Sequence, residues 1–123
     1  MNDTYDLILS GGTVVSHGGR AQADLGVRDG RFAAIGDLRN AKTPARFDAR
    51  NLTILPGVID TQVHMREPGV EHKEDLATGS AGAALGGVVG VFEMPNTKPS
   101  TTTAAALQDK LDRAHGRMWV DHA

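Results

Sequence analysis

The sequence predicts an α/β protein whose α/β part follows a β-rich leading segment. Three observations carry that expectation. Residues 1–53 alternate apolar and polar side chains between turn signals, with no helical period. Residues 54–123 run strand, helix, strand, helix, strand, the opening order of a parallel α/β sheet. Glycine is abundant, 15 in 123 residues, and clusters where these segments meet.

In the leading segment, Tyr5, Leu7 and Leu9 alternate with more polar neighbours and run into Gly11-Gly12. Thr13-Val14-Val15 then resumes the strand. Ala23, Leu25 and Val27 form a second strand, and Asp29-Gly30 is a two-residue hairpin signal returning through Arg31 to Ile35. Asn40 to Ala45 reads as a loop and Phe47 to Leu52 as one more short strand. Beyond residue 53, a strand is expected from Ile54 to His64, then a polar loop from Glu67 to Lys73. A helix fits Glu74 to Leu85, with acidic residues in its first turn. Gly79 and Gly82 in that helix suggest close approach to a sheet, and Gly86-Gly87 ends it. Val88 to Met94 is the next strand. Thr101 to Thr103 offer caps for a helix with Leu107, Leu111 and Ala114 on one stripe and an Asp109–Arg113 pair on its flank. Gly116 closes it, and Met118 to His122 begins a third strand.

Composition narrows the function. The net charge is -2, from 13 basic and 15 acidic side chains, which gives no support for a nucleic-acid or anionic-membrane partner. No apolar run is long enough to span a bilayer and no signal pattern opens the chain, so a cytoplasmic setting is expected. Cysteine is absent, so a metal would rest on His, carboxylate or amide ligands.

The chemistry concentrates in Asp60-Thr61-Gln62-Val63-His64-Met65-Arg66. On a continuous strand Asp60, Gln62, His64 and Arg66 share one face. A histidine in place of Gln62 would set two imidazoles side by side for one metal ion. Taken alone, His64 reads equally well as a strand-end histidine satisfied by hydrogen bonds, Arg66 as a surface arginine, and Asn96 as a turn residue after Pro95. His17, His72, Lys73 and His115 read as solvated, and His122 lacks a partner in the sequence. Leu85 to Gly90 is glycine-rich but lacks the ending of a phosphate loop.

The run Leu55-Pro56-Gly57-Val58-Ile59-Asp60, followed by the 60–66 motif and Arg66-Glu67-Pro68-Gly69, resembles the dihydroorotases among the cyclic amidohydrolases. The resemblance implies a (β/α)8 TIM-type barrel beginning in residues 54–123, with residues 1–53 as part of a small β-sandwich domain. It implies that His64 is a metal ligand and that Gln62 replaces the first motif histidine. Arg66, with Asn96 from Met94-Pro95-Asn96-Thr97, binds the substrate carboxylate in that family. The implied cofactor is a divalent metal, zinc, one or two ions in the full-length family and weak or absent in this chain. The implied reaction is reversible hydrolysis of dihydroorotate to N-carbamoyl-aspartate in pyrimidine synthesis. Allantoinase and hydantoinase share the motif but usually lack the arginine. A second class of reading, prompted by Gln62, is a non-catalytic homologue partnering aspartate transcarbamoylase. The family's later ligands and its general base match nothing in this sequence. The chain therefore reads as the N-terminal part of a longer protein, inactive alone and prone to associate, as a homo-oligomer or otherwise, through open sheet edges.

Overall fold

The computed structural model describes residues 4–123. It is a mixed α/β chain that separates into two compact units, one ending at Pro56 and one covering Gly57–Ala123.

The first unit holds β1 (Leu7–Ser16), β2 (Gly19–Arg28), β3 (Arg31–Gly36), β4 (Arg46–Asp48) and β5 (Thr53–Ile54). The sheet order is β3-β2-β1-β4, with β5 also paired to β1. β1, β2 and β3 are antiparallel neighbours, whereas β4 and β5 run parallel to β1. Asp29 and Gly30 both have positive φ, 51° and 68°, as a type I′ hairpin requires. Gly11-Gly12 does not end the first strand. It forms a bulge inside β1, with Gly11 at φ 72° and its N–H held by the Asp24 carboxylate at 2.8 Å. The expected strand from Phe47 to Leu52 is instead two pieces, β4 and β5, divided by a turn in which Asn51 has φ 66°. Ile8, Val14, Leu25 and Ala49 are buried in this unit.

The second unit holds β6 (Val58–Val63), α1 (Leu76–Leu85), β7 (Val88–Glu93), α2 (Ala104–Ala114) and β8 (Asp121–His122). Its three strands are all parallel, in the order β6-β7-β8. Met65, Leu76, Val91 and Ala114 form its core, with Val63, Ala83, Val88, Met118 and Val120 packed around them. No helix among the described residues is long and apolar enough to cross a membrane.

Four expectations for this part need correction. The strand from Ile54 to His64 is not continuous: Ile54 pairs with Val14, and the ladder resumes only at Val58. Pro56 has no N–H to give a ladder, and Gly57 sits where a Cβ would press on Val89 at 2.5 Å. The first helix starts at Leu76, and its first turn carries no acid. Asp75 is its cap, bonded to the Thr78 N–H at 2.7 Å, while the Thr78 hydroxyl reaches back to the Asp75 N–H at 3.3 Å. The helix glycines do not serve sheet packing either. A Cβ on Gly82 would meet open space, and the atoms nearest to one on Gly79 belong to the Glu74 side chain. In α2 the Asp109–Arg113 pair forms at 2.8 Å, yet Leu107 and Leu111 are largely exposed. The face that α2 buries is Lys110 and Ala114, one turn apart.

Candidate active site at the ends of two parallel strands

β6 and β7 run parallel and finish together. Val63 pairs with Glu93, and the Met94 N–H donates to the Val63 carbonyl at 3.0 Å. The segments that follow, His64 to Arg66 and Met94 to Asn96, therefore leave the sheet at the same C-terminal edge. There Nδ1 of His64 lies 2.9 Å from Oδ1 of Asn96. An amide oxygen only accepts, so in the neutral imidazole this contact places the proton on Nδ1 and the lone pair on Nε2. The two candidates meet directly, which sequence spacing alone could not indicate.

The shared face expected for Asp60, Gln62, His64 and Arg66 does not survive intact. The β6–β7 register shifts between Asp60 and Val63, and the strand stops at Val63. The Gln62 N–H is turned onto the Asp60 carboxylate at 3.0 Å, and Gln62 is exposed. Arg66 is half-buried in a left-handed conformation, φ 64°, outside any strand. Its N–H-to-carbonyl neighbours close a tight loop: Glu67 N bonds the Met65 carbonyl at 2.9 Å, and Val70 N bonds the Arg66 carbonyl at 3.0 Å. The period-two argument fails here because a bulge and a turn replace the last rungs of the ladder.

Two buried carboxylates that sequence reasoning passed over support this edge. Glu93, on the last rung of β7, accepts the Met65 N–H at 2.9 Å and lies 3.5 Å from the ammonium of Lys110. Glu67 accepts both arms of Arg117, at 2.8 and 2.9 Å, and also the Leu76 N–H at 3.1 Å. The Arg117 bond, followed by the Leu76 N–H, holds the Glu67 carboxyl below its ordinary value of 4.5 against the opposing effect of burial. Glu67 was visible as part of Arg66-Glu67-Pro68-Gly69. Its partner 50 residues away was not.

The donor set suits a divalent metal in one respect: His64 offers a free Nε2 with its other nitrogen oriented by Asn96, the usual arrangement for a metal-binding imidazole. No group of three or more His, Asp or Glu able to hold a metal occurs among the described residues. His17, His72, Lys73, His115 and His122 are all exposed, as is Asn96. A cavity of about 430 Å³ lies beneath α2, bounded by Val91, Leu107, Leu111 and Met118 with Glu93 and Lys110 in its wall. None of Gln62, His64, Arg66 or Asn96 lines it, so it is a gap under the helix rather than the candidate site.

The second unit is thus a parallel βαβαβ unit with a histidine, an arginine and an asparagine at two adjoining strand ends. Residues 51–118 match the family described as dihydro-orotase-like, and the chain belongs to that family. It is 40% identical over 122 residues to an allantoinase of Escherichia coli O1:K1, covering 98% of this chain and 26% of the allantoinase. Among solved structures it superposes on the L-hydantoinase (dihydropyrimidinase) of Arthrobacter aurescens with a TM-score of 0.88 and 35% identity, over 97% of this chain and 27% of the hydantoinase. An N-acyl-D-glutamate deacylase of Bordetella bronchiseptica, solved with zinc and a phosphonate inhibitor, gives a TM-score of 0.56 at 29% identity over 73% of this chain and 18% of its own. The chain thus spans about a quarter of the length of the curated relatives it matches.

Proposed function

We propose that the protein acts in a metal-dependent cyclic amidohydrolase that opens a carboxylate-bearing ring, dihydroorotate, to N-carbamoyl-aspartate and can run in reverse. In this reading residues 57–123 open a (β/α)8 barrel and the first sheet belongs to a small β-sandwich. The observation that carries it is the His64–Asn96 contact at the strand ends, with Arg66 two residues along the same turn. A bound divalent ion, zinc in this reading, supplies Lewis acidity to the ring carbonyl and to water. His64 would hold that ion through Nε2. Asn96 spends its oxygen on His64, which leaves its NH2 group to donate to the substrate carboxylate. Arg66 presents a planar fork to the same carboxylate. Hydrolysis adds the water oxygen to the carbonyl carbon, breaks the ring C–N bond and returns a proton to the nitrogen.

A second reading takes an uncharged ring, of the allantoin or hydantoin class, and is favoured by the names of the relatives above. The two are separated by assaying the protein, supplied with zinc, on dihydroorotate, allantoin and hydantoin. Turnover of dihydroorotate that Arg66→Gln abolishes supports the first reading. Turnover of allantoin or hydantoin without dihydroorotate overturns it. No zinc binding and no turnover on any ring overturns both and favours a non-catalytic role beside aspartate transcarbamoylase.

A further inference from the structure

We propose that Glu93 is a positioning residue for the candidate site, fixing the turn from His64 to Arg66, with Lys110 of α2 as its buried counter-ion. The inference deepens the proposed function and rests on it for what the turn is positioned to do.

The pair bonds backbone groups that lie beside His64, Arg66 and Asn96. The side chains of Glu93 and Lys110 are only 7% and 9% exposed and lie 3.5 Å apart. Oε2 of Glu93 accepts the N–H of Met65, the residue between His64 and Arg66, at 2.9 Å. Nζ of Lys110 donates to the carbonyl of Met94, two residues before Asn96, at 3.3 Å. Oε1 of Glu93 is buried with no hydrogen-bond partner among the described residues, so the nearby ammonium balances its charge without completing its bonding. A buried ion pair adds little net stability, because desolvation offsets most of the attraction. Its place on the last rung of β7 instead gives the turn an acceptor that no backbone group supplies. The Met65 N–H would otherwise be buried without a partner at the point where the ladder ends.

Two double variants of the 123-residue chain separate charge from placement. Glu93→Gln with Lys110→Met removes both charges but keeps an oxygen for the Met65 N–H. Glu93→Leu with Lys110→Met removes both charges and the acceptor. Met65 amide exchange and the ring nitrogen shifts of His64, read by NMR, report placement, and far-UV circular dichroism reports the fold. The Gln variant is expected to keep slow exchange and the Nδ1-protonated tautomer. The Leu variant is expected to exchange on the order of tenfold faster at Met65 and to mix tautomers at His64. Glu93→Asp, which keeps the charge but shortens the arm by one methylene, gives the same loss and stands in if the Leu variant does not fold. Native exchange and tautomer in the Leu or Asp variant, or equal loss in the Gln variant, would overturn the proposal. A separate Zn2+ titration of the unaltered chain decides the metal reading of His64, so the two can fail independently.

Discussion

His64 and Asn96 stand 32 residues apart in sequence and meet at 2.9 Å across the ends of two parallel strands. The contact makes one side chain the orienter of the other. A proton held at Nδ1 by an amide oxygen fixes the tautomer and the ring plane, and it leaves the lone pair on Nε2. The pair therefore couples a residue read as a metal ligand to a residue read as a substrate contact.

Removing the orienter tests that coupling. Asn96→Ala is expected to weaken Zn2+ binding by about 10–100-fold, the usual effect of losing such a partner. Asn96→Asp keeps an acceptor for Nδ1 and is expected to bind Zn2+ at least as well as the unaltered chain. Calorimetric titration of the two variants checks both outcomes. Equal weakening in both would mean that the contact does not orient the ring.

Gln62 occupies the motif position next to His64, and an amide is a poor zinc ligand. Gln62→His supplies a second imidazole. A complete structural zinc site is worth about 10–16 kcal/mol, so one ligand of four adds about 2.5–4 kcal/mol, or roughly 60- to 700-fold in affinity. The bulge between Asp60 and Val63 makes this a geometric test as well. Competition against a chromogenic chelator measures the gain, and no gain would mean that the bulge aims position 62 away from the ion.

The Glu67–Arg117 pair predicts a dependence on acid. The folded state holds the Glu67 carboxyl below its unfolded value, chiefly through Arg117. Its contribution to stability is therefore full above the unfolded value and is lost as pH falls through the lower folded one. Arg117→Ala leaves a carboxylate that is 4% exposed without its main partner. Because Arg117 itself is 37% exposed, the cost is about 2–3 kcal/mol at neutral pH, below that of a fully buried pair. Urea midpoints measured across the acid range should converge for the variant and the unaltered chain as Glu67 protonates.

Much of this was legible in the sequence, and the exceptions have physical causes. The hairpin at Asp29-Gly30, the caps at Thr103 and Gly86-Gly87 and the strand–helix–strand–helix–strand order of the second unit follow from local rules, although the third strand is only Asp121–His122 rather than Met118 to His122. His64, Arg66 and Asn96 stood out through the resemblance to the dihydroorotase motif, since each taken alone reads as an ordinary polar residue at a strand end or turn. The bulge at Gln62 and the left-handed Arg66 were hidden, since alternation assumes an unbroken ladder. Glu93 and Lys110 were also hidden. Each looks like an ordinary charged residue in the chain, and only the packing of α2 on β7 reveals a buried pair.

Gly69 ties the two loops of the site together. It has φ 97°, and a Cβ there would collide with the Lys98 carbonyl, while Lys98 N bonds the Pro68 carbonyl at 2.9 Å. Gly69→Ala therefore adds both a left-handed penalty and a backbone clash, a loss of about 2–4 kcal/mol. Thermal unfolding measures it. The loss should come with increased mobility of Asn96, whose loop then loses its anchor on the turn after Arg66.

Arg66 offers a separation of stability from function. Its left-handed backbone costs a non-glycine residue about 1–2 kcal/mol, whereas glycine adopts it freely. Glycine also widens the unfolded ensemble by about 0.4–1 kcal/mol, which offsets part of that relief. Arg66→Gly should leave stability within about 1 kcal/mol of the unaltered chain. The guanidinium goes with it, and a charge-assisted bond to a carboxylate is worth about 1.5–3 kcal/mol, so dihydroorotate binding should fall roughly 10–100-fold. Binding of an uncharged ring such as hydantoin should change little. Parallel urea unfolding and ligand titration read both halves. Equal loss for charged and uncharged rings would show that Arg66 shapes the site without reading the carboxylate.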